Sequence, residues 1–180
     1  MSEPEESLNS AFLRTMQIVA VALITGVLVF LGIVLYLVEV QHQGNGLGGA
    51  INVPVLSYAA SGFLIVMVPL SFGLPNFVTR GAVQRIARGV WRPAPQGPAP
   101  TTDGGKLLVV RQTALIVGMA LLEGVCFLGC IAYLLEGQML VLVIIAIALL
   151  LMLMKFPTEG RVRTWLAEQT EELERLRQQG

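Results

Sequence analysis

A single carboxyl group lies inside one of the long apolar stretches of this 180-residue chain. Glu123 is the only charged residue of residues 114–135, and it follows Arg111 by twelve positions, about 18 Å along a helix. That distance places it near the middle of a bilayer, where an ionisable group is costly. Such a residue either joins helices as a neutral side chain or binds a proton or a cation reversibly. Thr25 and Ser61 are its candidate hydrogen-bond partners.

Two cysteines, Cys126 and Cys130, lie one helical turn apart and share a broad face with Glu123. Two thiolates and a carboxylate can bind a soft metal such as copper, whereas cysteine in membrane helices more often serves as a small apolar residue. We therefore predict no cofactor and no metal, and keep this pair as the alternative. His42, the single histidine, is expected to be solvated in a loop.

No catalytic triad, phosphate-binding glycine loop or metalloprotease helix occurs in the sequence. Membrane enzymes usually carry several polar residues at one depth, and this chain has one acid there. We predict that the chain is not an enzyme.

The elements that would position these side chains are four long apolar stretches. The chain is 54% hydrophobic and 13% charged, whereas a soluble domain needs about 25% charged residues. A helix needs about 20 apolar residues to cross a hydrocarbon core, and the length of each stretch is close to this number. In lipid such stretches must be helical. The sequence therefore predicts an all-α integral membrane protein with four transmembrane helices, over residues 18–38, 53–74, 114–135 and 139–156.

The basic residues are sorted to one side of these stretches. Residues 39–52 and 136–138 contain no Lys or Arg, and all twelve basic residues lie near or beyond the opposite ends of the stretches. Because basic residues mark the cytoplasmic side, both termini are predicted to be cytoplasmic, in the cell (inner or plasma) membrane. Twelve acidic residues balance the basic ones, so we expect the lipid bilayer and no nucleic acid as a partner.

The two halves of the chain are similar in sequence. Residues 18–27 match residues 116–125, with Thr25 in the place of Glu123. Outside the apolar stretches, Phe-x-Thr-x-Gly-x-Val occurs at both 77–83 and 156–162. We predict two tandem parallel-repeat hairpins related by a pseudo-twofold axis along the membrane normal.

Small residues recur at four-residue spacing in the matching helices. This spacing lets two helix backbones approach closely, so we expect the first and third helices to face each other or a neighbouring protomer. The alternative is that small residues are merely frequent in membrane helices. The helix-packing residues are Ala22, Gly26, Ala120 and Gly124.

The chain divides into four segments: a first hairpin with a short basic amphipathic helix over 80–91 (1–92), a Pro/Gly-rich linker (93–106), a second hairpin (107–157) and an amphipathic helical tail (158–180). In the tail, Thr158 is a candidate N-cap, and Glu171 can pair with Arg175. Its apolar stripe should pack on the membrane or on the 80–91 helix, and consists of Val162, Trp165, Leu166, Leu173 and Leu176.

Residues 111–124 resemble the carboxylate-bearing helix of the proteolipid (c) subunits of rotary ATP synthases. Arg111 precedes Ile116-Val-Gly-Met-Ala-Leu-Leu-Glu123-Gly, and in those subunits a basic loop precedes a Gly/Ala-rich helix with one acidic residue. Residues 14–25 repeat this layout without the acid. The resemblance implies that Glu123 carries an ion, and no other position carries over.

Two main hypotheses follow. The first is a non-enzymatic four-helix bundle that forms a homo-oligomer or serves as a subunit of a larger membrane assembly. The second is a proton- or cation-translocating, proteolipid-like subunit that acts through Glu123. A metal or redox carrier based on Cys126 and Cys130 is the third.

Overall fold

The computed structural model of the protein describes residues 3–43, 55–91 and 102–179. All regular secondary structure in these ranges is helical, as the sequence predicts. The five helices are α1 (Glu3–Gln43), α2 (Val55–Ala87), α3 (Asp103–Glu136), α4 (Met139–Met154) and α5 (Glu159–Gln179).

Three of these helices, α1, α2 and α3, are long and apolar enough to cross a membrane. The number of candidate spans reaches four only if α4 and α5, which are separated by a break, are taken together as one span. With 16 residues, α4 rises about 24 Å, which is less than the about 30 Å of a hydrocarbon core. The structure therefore supports three to four spans, where the sequence predicts four.

The residues group into two compact units. The first contains Met1–Val19, Gly73–Val117 and Phe156–Gly180, and the second contains Ala20–Phe72 and Gly118–Lys155. The first unit thus holds the polar ends of the long helices with α5, and the second holds most of their apolar length with α4.

In the first unit, α5 uses its predicted apolar stripe to pack on α2 and α3. Leu173 is buried with Val83, Ile86 and Leu107, and Val162 is buried with Met16 and Leu108. Removing such side chains from water is the main stabilising contribution outside lipid. The other stripe residues, which are partly buried beside them, are Trp165, Leu166 and Leu176.

Polar contacts also join α5 to the start of α3. The carboxylate of Asp103 accepts hydrogen bonds from Lys106 Nζ at 2.9 Å and from Arg177 Nη2 at 2.7 Å. The guanidinium of Arg111 lies 5.1 Å from the ring centroid of Trp165, a cation–π contact. The predicted pair of Glu171 and Arg175 forms at 2.6 Å, but both side chains are exposed, so it adds little stability.

Two boundaries differ from the sequence prediction. The helix expected over 80–91 is not separate, because α2 continues without a break to Ala87. The linker expected over 93–106 ends earlier, since α3 begins at Asp103 with Thr102 Oγ1 accepting a hydrogen bond from the N–H of Gly105, a typical N-cap. The rest of that linker, residues 93–101, lies outside the described residues.

In the second unit, α3 and α4 approach closely at Gly129. A Cβ atom at this position would lie 2.8 Å from Cγ1 of Ile145, so only glycine allows this approach. A T-shaped contact between Phe30 and Phe127, with ring centroids 5.1 Å apart, packs α1 on α3.

A proline in α2 is compensated by a lysine at the end of α4. Pro75 has no N–H, so the carbonyl group of Ser71 lacks the donor that a helix would provide. Lys155 Nζ donates a hydrogen bond to that carbonyl oxygen and lies 4.0 Å from the ring centroid of Phe72. Lys155 thereby ties α4 to α2.

Candidate functional site

Glu123 is half-buried on α3 and lies against α1. Its Oε1 atom is 4.0 Å from the position that a Cβ atom would take on Gly26. Because Gly26 has no side chain, the carboxyl group lies beside the backbone of α1. The next residue of α3, Gly124, lies beside Phe63 of α2. A Cβ atom built on Gly124 would be 3.8 Å from the ring of Phe63.

The predicted hydrogen-bond partners do not bind this carboxyl group. Ser61 Oγ donates instead to the carbonyl oxygen of Ser57 at 2.8 Å. Thr25 is exposed, about 160° around α1 from the fully buried Val27, so it points away from the packed interior. Within the described residues, Glu123 has no hydrogen bond or ion pair. An ion site made of Glu123, Thr25 and Ser61 is therefore not assembled in the single chain.

The four predicted helix-packing residues divide into two pairs. Gly26 and Gly124 lie next to side chains of neighbouring helices, as described above. Ala22 and Ala120 are exposed, so no contact between α1 and α3 covers them in the chain itself. Contact of these two alanines with a neighbouring protomer stays a prediction.

Cys126 and Cys130 are buried and are not joined in a disulfide. Across the described ranges, no three or more His, Cys, Asp or Glu side chains come together as metal ligands. Glu123 therefore adds no third ligand to the cysteine pair, and the alternative of a metal carrier gains no support. The side chain of His42 lies outside the described residues.

Glu136, at the end of α3, holds a position that sequence reasoning missed. Its carboxylate accepts hydrogen bonds from the N–H of Leu56 at 2.6 Å, and from the N–H and the hydroxyl group of Ser57 at 2.8 and 2.5 Å. These N–H groups belong to the first turn of α2, which has no acidic residue of its own. The first N–H groups of a helix have no helical acceptor and favour an anion, so Glu136 caps α2.

One signal for this cap is present in the sequence. Glu136 ends an apolar stretch and is followed by Gly137, whose φ of 65° allows the chain to turn directly into α4. A carboxylate at such a turn is well placed to meet the start of a neighbouring helix. Which helix it meets is not encoded locally.

Among the residues that the structure describes, the half-buried carboxyl group of Glu123 has no hydrogen-bond or ion-pair partner, and that of Glu136 caps a helix. In the described parts of the chain, neither belongs to a group of three or more His, Cys, Asp or Glu side chains that could hold a metal ion. The likeness of residues 111–124 to proteolipid subunits stays a prediction. No protein family, no curated protein and no solved structure matches this chain.

Proposed function

We propose that this chain is a non-enzymatic polytopic membrane protein that self-associates or serves as a subunit of a larger membrane assembly. The observation that carries the proposal is the outward face of α1. Ala22 and Thr25 are exposed there, and Gly32 has no described atom within 4 Å of an added Cβ. Small residues and a hydroxyl group on an uncovered membrane helix suit close contact with a second helix.

In this proposal the chain crosses the cell membrane four times, as two tandem hairpins with cytoplasmic termini. The sorting of all twelve basic residues to one side supports this topology. Helix α4 contains no charged residue, which supports its insertion as the fourth span. A span of about 24 Å requires local thinning of the bilayer or interfacial anchoring at its ends.

The oligomeric state in lipid nanodiscs tests self-association. We expect photobleaching steps of a fluorescently labelled chain to report more than one copy per assembly. Ala22→Leu should shift the distribution towards single copies because the larger side chain separates the helices. Ala59→Leu, at an exposed alanine of α2, is the matched control. A single copy under all lipid conditions would contradict self-association, and co-purified subunits would then have to account for an assembly.

A second candidate function is proton or cation translocation through Glu123. It is favoured by the half-buried carboxyl group without a partner in the described residues, beside the bare backbone at Gly26. A carboxyl group that has neither an ion pair nor a hydrogen bond is available to bind and release a proton or a cation.

Glu123→Gln separates the two functions. If the protein translocates ions, this variant should abolish ion flux into proteoliposomes while the oligomeric state is kept. If Glu123 only joins helices, proteoliposomes with either the parent protein or the variant should show the same ion flux as empty vesicles.

A further inference from the structure

A cavity of about 690 Å³ in the first unit is lined by residues of α1 between 10 and 17, by residues of α5 between 159 and 174, and by Leu108 of α3. Its apolar lining residues include Leu13, Leu108 and Leu166. These side chains continue the cluster around buried Met16. Charged residues from both helices also line it, so the cavity is amphipathic.

The charged residues around this cavity fall into two groups. Glu159 is paired with Arg163 at 2.6 Å, and Glu171 is paired with Arg175, so these charges are neutralised on α5 itself. Arg14 and Glu174 also line the cavity, and neither has an ion pair within the described residues. A complementary ligand therefore carries one anionic group, one cationic group and an apolar portion.

The position of the cavity along α1 indicates where such a ligand comes from. Arg14 lies four residues before Ile18, whose side chain is 62% exposed and begins the apolar stretch of the helix. In the proposed membrane placement, on which this inference rests, Arg14 is at the depth of the lipid headgroups.

We propose that this cavity binds one molecule of phosphatidylethanolamine. Its phosphate is bound by Arg14, its primary ammonium group donates to Glu174, and its glycerol end contacts the apolar lining residues. Phosphatidylglycerol has the same phosphate but offers no cation to Glu174, so its headgroup has a net negative charge beside this carboxylate. The quaternary ammonium group of phosphatidylcholine has no N–H to donate. The charge pattern therefore selects the zwitterion with a primary amine.

Native mass spectrometry of the full chain tests this selection, after release from nanodiscs with equal amounts of the three lipids. We expect one retained phosphatidylethanolamine per chain. Arg14→Gln and Glu174→Gln should each lower its retention about tenfold, the effect of one lost charge-assisted hydrogen bond. Arg85→Gln and Glu168→Gln, at exposed residues outside the cavity, should leave it unchanged. Equal retention of phosphatidylglycerol, or retention that neither cavity variant lowers, overturns the proposal.

A photo-crosslinking residue in place of Ala167, which is exposed at the cavity, identifies the occupant directly. A lipid adduct that disappears with Arg14→Gln supports the site. A crosslink to a second copy, or to another segment of the same chain, overturns it. A chain that does not insert into nanodiscs overturns the membrane placement as well, and insertion is scored separately from lipid retention.

Discussion

Gly129 and Gly32 hold matching positions in the two halves of the sequence but have different surroundings. A Cβ atom on Gly129 would lie 2.8 Å from Ile145 Cγ1, whereas a Cβ atom on Gly32 would meet no described atom within 4 Å. We predict that Gly129→Ala destabilises the protein by about 1–3 kcal/mol, the cost of overpacking a tight contact. Thermal unfolding in a mild detergent measures the difference.

Gly62→Ala is the control for this prediction, because it adds the same methyl group at an exposed position of α2, outside the face of α1 proposed for association. It should not lower the unfolding temperature, since the added Cβ lies in open space and alanine favours a helix more than glycine does. Equal destabilisation by both substitutions would mean that α4 does not pack on α3 at Gly129.

The two carboxylates of α3 illustrate what a sequence reveals about single residues. Glu123 is visible because one charge interrupts an apolar stretch, and no further information is needed to select it. The role of Glu136 depends on N–H groups at residues 56 and 57, about 80 positions earlier in the chain. Such a partnership appears only once α2 and α3 are packed. The exposure of Thr25 likewise depends on which face of α1 packs on other helices, and the sequence does not identify that face.

At the scale of elements, α2 depends on a contact outside itself. Pro75 deprives the Ser71 carbonyl of its helical donor, and Lys155 replaces that donor. We predict that Lys155→Met destabilises the protein by about 1 kcal/mol, because it leaves a buried acceptor without a hydrogen bond. Chemical denaturation in detergent measures this loss.

A double-mutant cycle shows whether the proline is the reason. Pro75→Ala restores the N–H at residue 75, so Lys155→Met should cost less in that background. If Lys155→Met costs the same with either residue at position 75, the missing N–H of Pro75 is not the reason that the lysine stabilises the protein.

Docking of α5 should weaken in acid. The hydrogen bond from Lys106 lowers the pKa of Asp103, burial opposes this by raising it, and the hydrogen bond from Arg177 lowers it further, so its pKa lies below the usual 3.8. A carboxylate whose folded pKa is depressed stabilises the folded state above its unfolded pKa, and this contribution is lost as the pH falls through the folded pKa. We predict that α5 is held less firmly below about pH 4.

Trp165 fluorescence, in a Trp91→Phe background, measures this docking because the ring lies under Arg111. Asp103→Asn should show the weaker docking already at neutral pH, with a smaller change on acidification. Glu168→Gln, at an exposed position of α5, should behave like the parent protein. An acid transition of the same size in the Asp103→Asn variant would exclude this carboxylate as its origin.

Helical periodicity predicts α5 well and the end of α2 less well. The stripe that includes Val162 and Leu173 follows from apolar spacing alone, and both residues are buried. Residues 80–91 have an amphipathic pattern of their own, so they look like a separate helix. In the structure α2 does not end between residues 74 and 80, so the amphipathic residues up to Ala87 extend the same helix. Propensity at Pro75 argues for a break, and packing overrides it.

For the whole molecule, the shortage of charged residues is the most informative property of the sequence. It predicts apolar helices, and α1, α2 and α3 confirm them. The repeat is less informative about structure, because its matching segments differ: residues 77–83 are helical within α2, whereas residues 156–158 form the break before α5. Pro157 accounts for this difference, since the residue before a proline disfavours helical geometry.

The number of spans decides on which side the C-terminus lies, and α4 is the element in question. If α4 crosses the membrane, the basic residues of α5 lie on the same side as Arg14. If α4 does not cross, these residues lie on the side opposite to Arg14, against the rule that basic residues mark the cytoplasmic side. We therefore predict that epitope tags at both termini are accessible to antibody in inside-out vesicles and protected in spheroplasts. A tag inserted into residues 44–49 should behave in the opposite way, and detergent should expose all three. Protection of the C-terminal tag together with the tag at residues 44–49 in inside-out vesicles, with the N-terminal tag still accessible, would establish three spans and leave α4 on the membrane surface.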